Sequence, residues 1–269
     1  MKATVIVDNI GTEELSGEWG LSINIDYNGT NILLDSGKSF LFATNAQKLG
    51  LDLTKTDVAV LSHAHYDHAN GFEEFFRIND KAKLFVRESC APNCYKKILI
   101  KKYIGIPKNL LKDYADRIVF AGGDYKIMDG VTLIPHKTPG LDKLGKRETM
   151  CRREGLRFKT DDFSHEQSLV FDTEKGLVIF NSCSHGGAYN IINEVSATYP
   201  DKKVYALIGG FHLFNKTEAE VRDFASKVKE TGIEYVCTGH CTGKRAFEIL
   251  KEELGDTVHQ LKVGLELEF

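Results

Sequence analysis

A run of seven residues, Ser62-His63-Ala64-His65-Tyr66-Asp67-His68, follows directly on the apolar stretch Asp57-Val58-Ala59-Val60-Leu61. That stretch reads as a buried strand, so the run leaves a strand end as a loop. It carries four potential metal ligands: His63, His65, Asp67 and His68. A helix would scatter them around its axis. A loop lets His63 and His65 point one way while Asp67 and His68 turn another. Imidazole with carboxylate suits zinc, with iron and manganese as lesser fits. A lone loop histidine is usually only solvated, whereas three with an aspartate at this density point to a metal centre.

The rest of the chain must supply a scaffold for that loop, and its 269 residues are enough to bury a substantial core. Thr4–Val7, Leu21–Tyr27 and Thr30–Leu34 read as strands, the last two joined at Asn28-Gly29 as a hairpin. Phe40–Leu49 has helical spacing ending at Gly50, and Asn70–Arg77 reads as a helix packing back on the sheet. Further on, the strands Gln167–Asp172, Leu177–Phe180, Val204–Ile208 and Ile233–Cys237 alternate with helices over Ala188–Tyr199, Thr217–Thr231 and Lys244–Leu254. The tail Val258–Phe269 is strand-like. Between the two β-then-βα halves, Lys96–Tyr103 looks helical, Arg117–Phe120 and Val131–Ile134 look like strands, and Thr138–Lys159 is basic and without period. The expectation is one domain over 1–269 with a lid or insertion at about 90–160.

Bulk properties narrow the partners. A net charge of −3 gives no global pull toward nucleic acid or a membrane. No segment approaches the ~20 apolar residues of a spanning helix, and the N-terminus is a poor signal peptide. The six cysteines therefore read as reduced thiols in a cytoplasmic protein. A four-thiolate zinc knot from Cys237, Cys241, Cys90 and Cys94 would need knuckle spacing, which Cys90 and Cys94 do not have.

The run Ser62–His68 resembles the HxHxDH signature of the metallo-β-lactamase superfamily, and Leu34-Asp35-Ser36-Gly37 resembles its strand-Asp-x-Gly element. Four further motifs resemble one branch, the dihydropterin-ribofuranosylaminobenzene-phosphate synthase-like proteins. They are Glu18-Trp19-Gly20-Leu21-Ser22, Cys183-Ser184-His185-Gly186-Gly187, Gly209-Gly210-Phe211-His212-Leu213 and His240-Cys241-Thr242-Gly243. The resemblance implies an α/β, four-layer αββα sandwich with two divalent metal ions at one edge. It gives Asp35 the role of bracing the ligand loop. His185 would join His63 and His65 on one ion, and His240 would join Asp67 and His68 on the other. His165 competes with His185 for the first set. Many superfamily members carry a bridging aspartate after the strand that here ends in Asn181-Ser182-Cys183, so either Cys183 substitutes or water alone bridges. His212 is an additional ligand, a proton donor or a hydrogen-bonded loop histidine. His136 and His259 read as structural.

The function expected is metal-dependent hydrolysis, with a metal-bound hydroxide attacking an ester or phosphate ester, Asp67 orienting it and His212 steadying developing charge. Lys96, Lys97, Lys101 and Lys102 cluster on one predicted helix and read first as a solvated face. The denser Lys143, Lys146, Arg147, Arg152, Arg153 and Arg157 in the expected lid make an anionic small molecule such as a phosphate ester the expected substrate. No aromatic residues are interleaved with these bases as single-strand binders require, so nucleic acid is the weaker option. One alternative is a transferase condensing a pterin methyl diphosphate with an aryl amine. Another is a di-iron redox protein, against which His65 argues, since di-iron members often have glutamate there. The oligomeric state is not encoded in any feature of the sequence.

Overall fold

A computed structural model describes all residues 1–269. It contains two seven-stranded sheets. The first runs Glu266–Glu268, Lys2–Val7, Ser22–Tyr27, Thr30–Leu34, Val58–Val60, Lys83–Arg87, Ile118–Ala121 in spatial order. The second runs Val258–Gln260, Tyr235–Thr238, Val204–Gly209, Gly176–Phe180, Gln167–Thr173, Val131–Pro135, Tyr125–Met128.

Side-chain alternation stacks the layers. Val178 and Phe180 face an inner core shared with Ile23, Ile32 and Val60 of the first sheet. Their neighbours Leu177 and Ile179 point outward, against Ile191, Val195 and Ile249 of the covering helices Ala188–Thr198 and Lys244–Leu254. Both faces of this strand are buried, which is why its sequence is continuously apolar rather than alternating. On the first sheet, Ile6, Leu33 and Ala59 pack outward on Phe42, Phe72 and Phe75 of the helices Leu41–Lys48 and Phe72–Ile78. Each fully buried phenylalanine of these layers contributes roughly 1.5–3 kcal/mol. The result is the αββα sandwich. No helix is long and apolar enough to cross a membrane.

The intervening residues depart from expectation. Lys96–Tyr103 is not a helix: Cys94–Lys97 and Lys101–Tyr103 form a hairpin within a third sheet, ordered Arg157–Thr160, Met150–Glu154, Cys94–Lys97, Lys101–Tyr103. Ile98, Leu99 and Ile100 form the hairpin turn and stay exposed, so it is the pairing of the flanking strands, not burial of these three, that favours the hairpin. As a hairpin, buried Cys94 is pinned in the outer core of the first sheet, and Met150 to Arg152 complete its ladder. Thr138–Lys159, which shows no period, holds the short helix Asp142–Arg147 and most of the Met150–Glu154/Arg157–Thr160 hairpin. The tail splits, giving Val258–Gln260 to the second sheet and Glu266–Glu268 to the first. All six cysteines are unpaired, and Cys90 with Cys94 lies in a different core layer from Cys237, so no thiolate knot forms.

Candidate metal centre

The segment after Val58–Val60 is a loop only through His65. Against expectation it then closes into a single helical turn, Tyr66–Ala69, which carries Asp67 and His68. The whole run is held by Asp35 at the end of the neighbouring strand. Asp35 sits at φ 56°, a left-handed conformation that a non-glycine residue adopts at a cost. The turn aims its fully buried carboxylate under the histidine run. Ser62 donates its amide to Oδ1 at 2.7 Å and its hydroxyl to Oδ2 at 2.6 Å, and His68 donates Nδ1–H to Oδ2 at 2.7 Å. Ser62 Oγ in turn lies 2.8 Å from His63 Nδ1. The hydroxyl proton is committed to Asp35, so His63 Nδ1 is the donor to Ser62. This network makes Nδ1 the donor of both rings and leaves Nε2 of His63 as a free lone pair. Burial opposes a charge on His68, but Asp67 and Asp35 raise it above the usual histidine range, so a cation at its Nε2 would take the place of a proton. The second sheet grips the loop as well: the Gln167 amide donates to the Ser62 carbonyl at 2.8 Å, and Gln167 Nε2 to the Leu61 carbonyl at 2.8 Å.

Gly20 packs from the other side. A Cβ there would stand 2.5 Å from the Asp67 carbonyl, so the Glu-x-Gly element is a close approach of backbone to the ligand loop.

Two sets of donors converge. His63, His65 and His185 have ring centroids 4.6–5.0 Å apart. His68 Nε2 lies 3.3 Å from His240 Nε2, and Asp67 Oδ2 lies 3.7 Å and 3.6 Å from those two nitrogens. His240, at φ 44°, is fixed by Asp8, whose Oδ2 accepts its amide at 2.8 Å, and by Asn9, whose Oδ1 lies 3.1 Å from its Nδ1. The structure thus brings together all six sequence-selected metal-site residues.

The chemistry of these donors fits divalent cations. Nε2 of His63, Nε2 of His65 and both ring nitrogens of His185 are buried without a hydrogen-bond partner. Orphaned buried nitrogens are costly unless something coordinates them. Burial first, then the neighbouring imidazoles, pulls His63, His65, His185 and His240 well below the usual histidine range, so they are neutral and carry lone pairs.

His165 stands differently. Its Nδ1 accepts the Ala64 amide at 3.2 Å and its Nε2 lies 3.2 Å from Asp161 Oδ2. Both nitrogens are spent on bracing, whereas those of His185 are free.

His185 is itself aimed by a buried carboxylate. Glu166 Oε1 accepts the His185 amide and Oε2 the Gly186 amide, each at 3.0 Å. His136 donates Nε2–H to Glu166 Oε2 at 2.6 Å and Nδ1–H to Glu194 Oε2 at 3.0 Å. Burial opposes the charge on His136, yet the two carboxylates raise it to about 9. His259 stacks on Tyr235, away from the site, with centroids 4.2 Å apart.

His212 lies on the rim of the centre at φ 49°, its ring centroid 4.6 Å from that of His185. Its Nδ1 is 3.2 Å from Glu148 Oε2, and Glu148 also pairs with Lys216. Burial pushes the Glu148 carboxyl up, but His212 and Lys216 outweigh it and hold it at about 2. The cleft above is lined by Trp19 and Phe214, edge to face at 5.5 Å, and by Ile98, Met150, Lys96 and Lys102. Sequence reasoning missed Glu148 and Glu166. Glu166 adjoins His165 in the chain, but nothing in its spacing marks it, and Glu148 falls in the stretch without period.

An αββα sandwich whose strand-end loops gather this donor set defines the metal-dependent hydrolase fold of the metallo-β-lactamase superfamily. Tm1679, a metal-dependent hydrolase of the β-lactamase superfamily, superposes with a TM-score of 0.85 and 28% identity, covering 100% of this chain and 99% of its own. Zn(2+)-bound PqqB from Methylobacterium extorquens shares the fold at a TM-score of 0.60 and 10% identity, with full coverage of both chains. The chain belongs to the family described as Anti-Pycsar protein Apyc1, which matches residues 19–203. It is also similar to the 7,8-dihydropterin-6-methyl-4-(beta-D-ribofuranosyl)-aminobenzene-5'-phosphate synthase of Methanocaldococcus jannaschii, at 29% identity over 93% of this chain and 90% of that protein.

Proposed function

We propose that the chain is a dinuclear metal-dependent hydrolase acting on an ester or phosphate ester of an anionic small molecule. The observation that carries this is the set of orphaned imidazole nitrogens of His63, His65 and His185 beside Asp67, His68 and His240, beneath a cleft edged by Lys96 and Lys102. His63, His65 and His185 would hold one ion and Asp67, His68 and His240 the other, with zinc the best match to this donor set. Ions bound there would polarise a phosphoryl or carbonyl oxygen and bring the pKa of a bound water to about 7.

The protein's own groups do the rest. Asp67 accepts a hydrogen bond from the attacking water and orients it. Lys96 and Lys102 draw the anionic group into the cleft, and Trp19 and Phe214 offer flat faces to the remainder of the substrate. His212 faces the leaving oxygen as its proton donor, with the Glu148 carboxylate 3.2 Å from its Nδ1 positioning the ring. The small sheet within residues 90–160 serves as a lid, since Lys96, Lys102 and Met150 come from its strands and Ile98 from its hairpin turn. The six unpaired cysteines support a reducing, cytoplasmic setting.

A second reading is favoured by the synthase likeness over most of the chain: a transferase joining a pterin methyl diphosphate to an aryl amine. Incubating the zinc-loaded protein with a panel of phosphodiesters and carboxylic esters, and separately with the pterin and amine pair, tests both. Hydrolysis of panel members is expected. Coupled product without any hydrolysis would replace the first reading with the second.

A further inference from the structure

Sulfur occupies the position between the two donor sets. Cys183 Sγ lies within 4.8 Å of donor atoms of His63 and His185 on one side and of His68 and His240 on the other. It is 3.3 Å from His68 Nε2. A cysteine that merely fills core space is surrounded by apolar atoms. This one is just as buried, yet ring nitrogens of four histidines, His63, His185, His68 and His240, stand around it.

A second thiol supports the first. Cys241 Sγ accepts the His212 amide at 3.3 Å and stands 3.5 Å from Cys183 Sγ. The amide occupies a sulfur lone pair and leaves the Cys241 S–H two acceptors, both of Cys183: its Sγ at 3.5 Å and its carbonyl at 3.9 Å, the sulfur being the nearer. Gly210 makes the room: a Cβ there would sit 2.5 Å from Cys241 Sγ.

We infer that Cys183 is a metal ligand shared by the two histidine sets, its sulfur standing where other superfamily members have a bridging carboxylate, with the Cys241 thiol as its hydrogen-bond donor. The inference rests on the metal-site reading above. Coordination exchanges the S–H proton for a sulfur–metal bond, the proton going to solvent with no change of oxidation state. A thiolate at this point biases the centre toward zinc and away from magnesium or manganese, which prefer oxygen.

Cobalt substitution tests it, because thiolate-bound cobalt(II) has a near-ultraviolet charge-transfer absorption that imidazole and carboxylate ligands lack. The reduced wild-type protein and Cys241→Ser, loaded with cobalt and counted by mass spectrometry, should both show the absorption. Cys183→Asp should hold as much cobalt and lose it. Absorption surviving in Cys183→Asp would overturn the inference, since the sulfur would then be that of Cys241. Wild-type protein that holds cobalt without the absorption would overturn it too, leaving the metal centre standing. Wild-type protein that takes up no cobalt would remove both.

Discussion

Glu148 Oε2 lies 3.2 Å from His212 Nδ1, which couples the end of the helix Asp142–Arg147 to the rim of the metal centre. The contact lets a residue outside both large sheets set the orientation of a ring facing the cleft. Held at about 2, Glu148 stays ionised across the range in which a protein of this kind works.

Removing that charge tests the role given to the pair. Glu148→Gln keeps the shape but withdraws the carboxylate from His212, and kcat is expected to fall about 10²-fold, the usual worth of a positioned acid. KM should change far less. Steady-state kinetics across pH would check this; an unchanged kcat would show that Glu148 plays no part in positioning His212.

His136 yields a stability prediction. Its folded pKa, about 9, lies above the ordinary 6.5, so its contribution is fully present below the ordinary value and is lost as pH rises through the folded one. Urea midpoints should therefore decline between those two pH values in the wild type. In His136→Gln the decline should flatten, with lower stability at the acid end.

Asp35→Asn isolates the brace. Asparagine tolerates the positive φ, so backbone strain is little changed. Its Oδ1 can still accept the Ser62 amide, but the NH2 replaces the acceptor that faces His68 Nδ1. A loss of about 10–100-fold in zinc affinity is expected. Competition with a chromophoric chelator would measure it, with circular dichroism confirming that the fold is intact.

Lys96 and Lys102 should act on binding rather than chemistry. In the double variant Lys96→Ala/Lys102→Ala, KM for a phosphate-bearing substrate should rise about tenfold, with kcat changed less than about twofold. The wild-type KM should also climb with added salt. Equal KM for wild type and variant would exclude these lysines from the substrate path.

Most of the frame could be read from residue order because strand-end geometry is local. The apolar strand before His63 and the strand Leu177–Phe180 before His185 are continuous runs, and a run buried on both faces announces itself. Lys96–Tyr103 misleads because its lysines and apolar residues have no helical face to serve, and its pairing partner, Met150–Glu154, lies far along the chain. The contest between His165 and His185 could not be decided from order alone. It turns on where the Ala64 amide and Asp161 carboxylate end up, and both arrive only with the packed fold. Glu166 is silent for the same reason, since its task is to accept two backbone amides almost twenty residues away.

On the proposal above, two donor sets, His63/His65/His185 and Asp67/His68/His240, hold metal ions. Inductively coupled plasma mass spectrometry of zinc-equilibrated, desalted protein tests it most directly. Two equivalents are expected in the wild type and close to none in His63→Ala/His68→Ala. Wild-type protein free of metal, or a double variant retaining both equivalents, would contradict it.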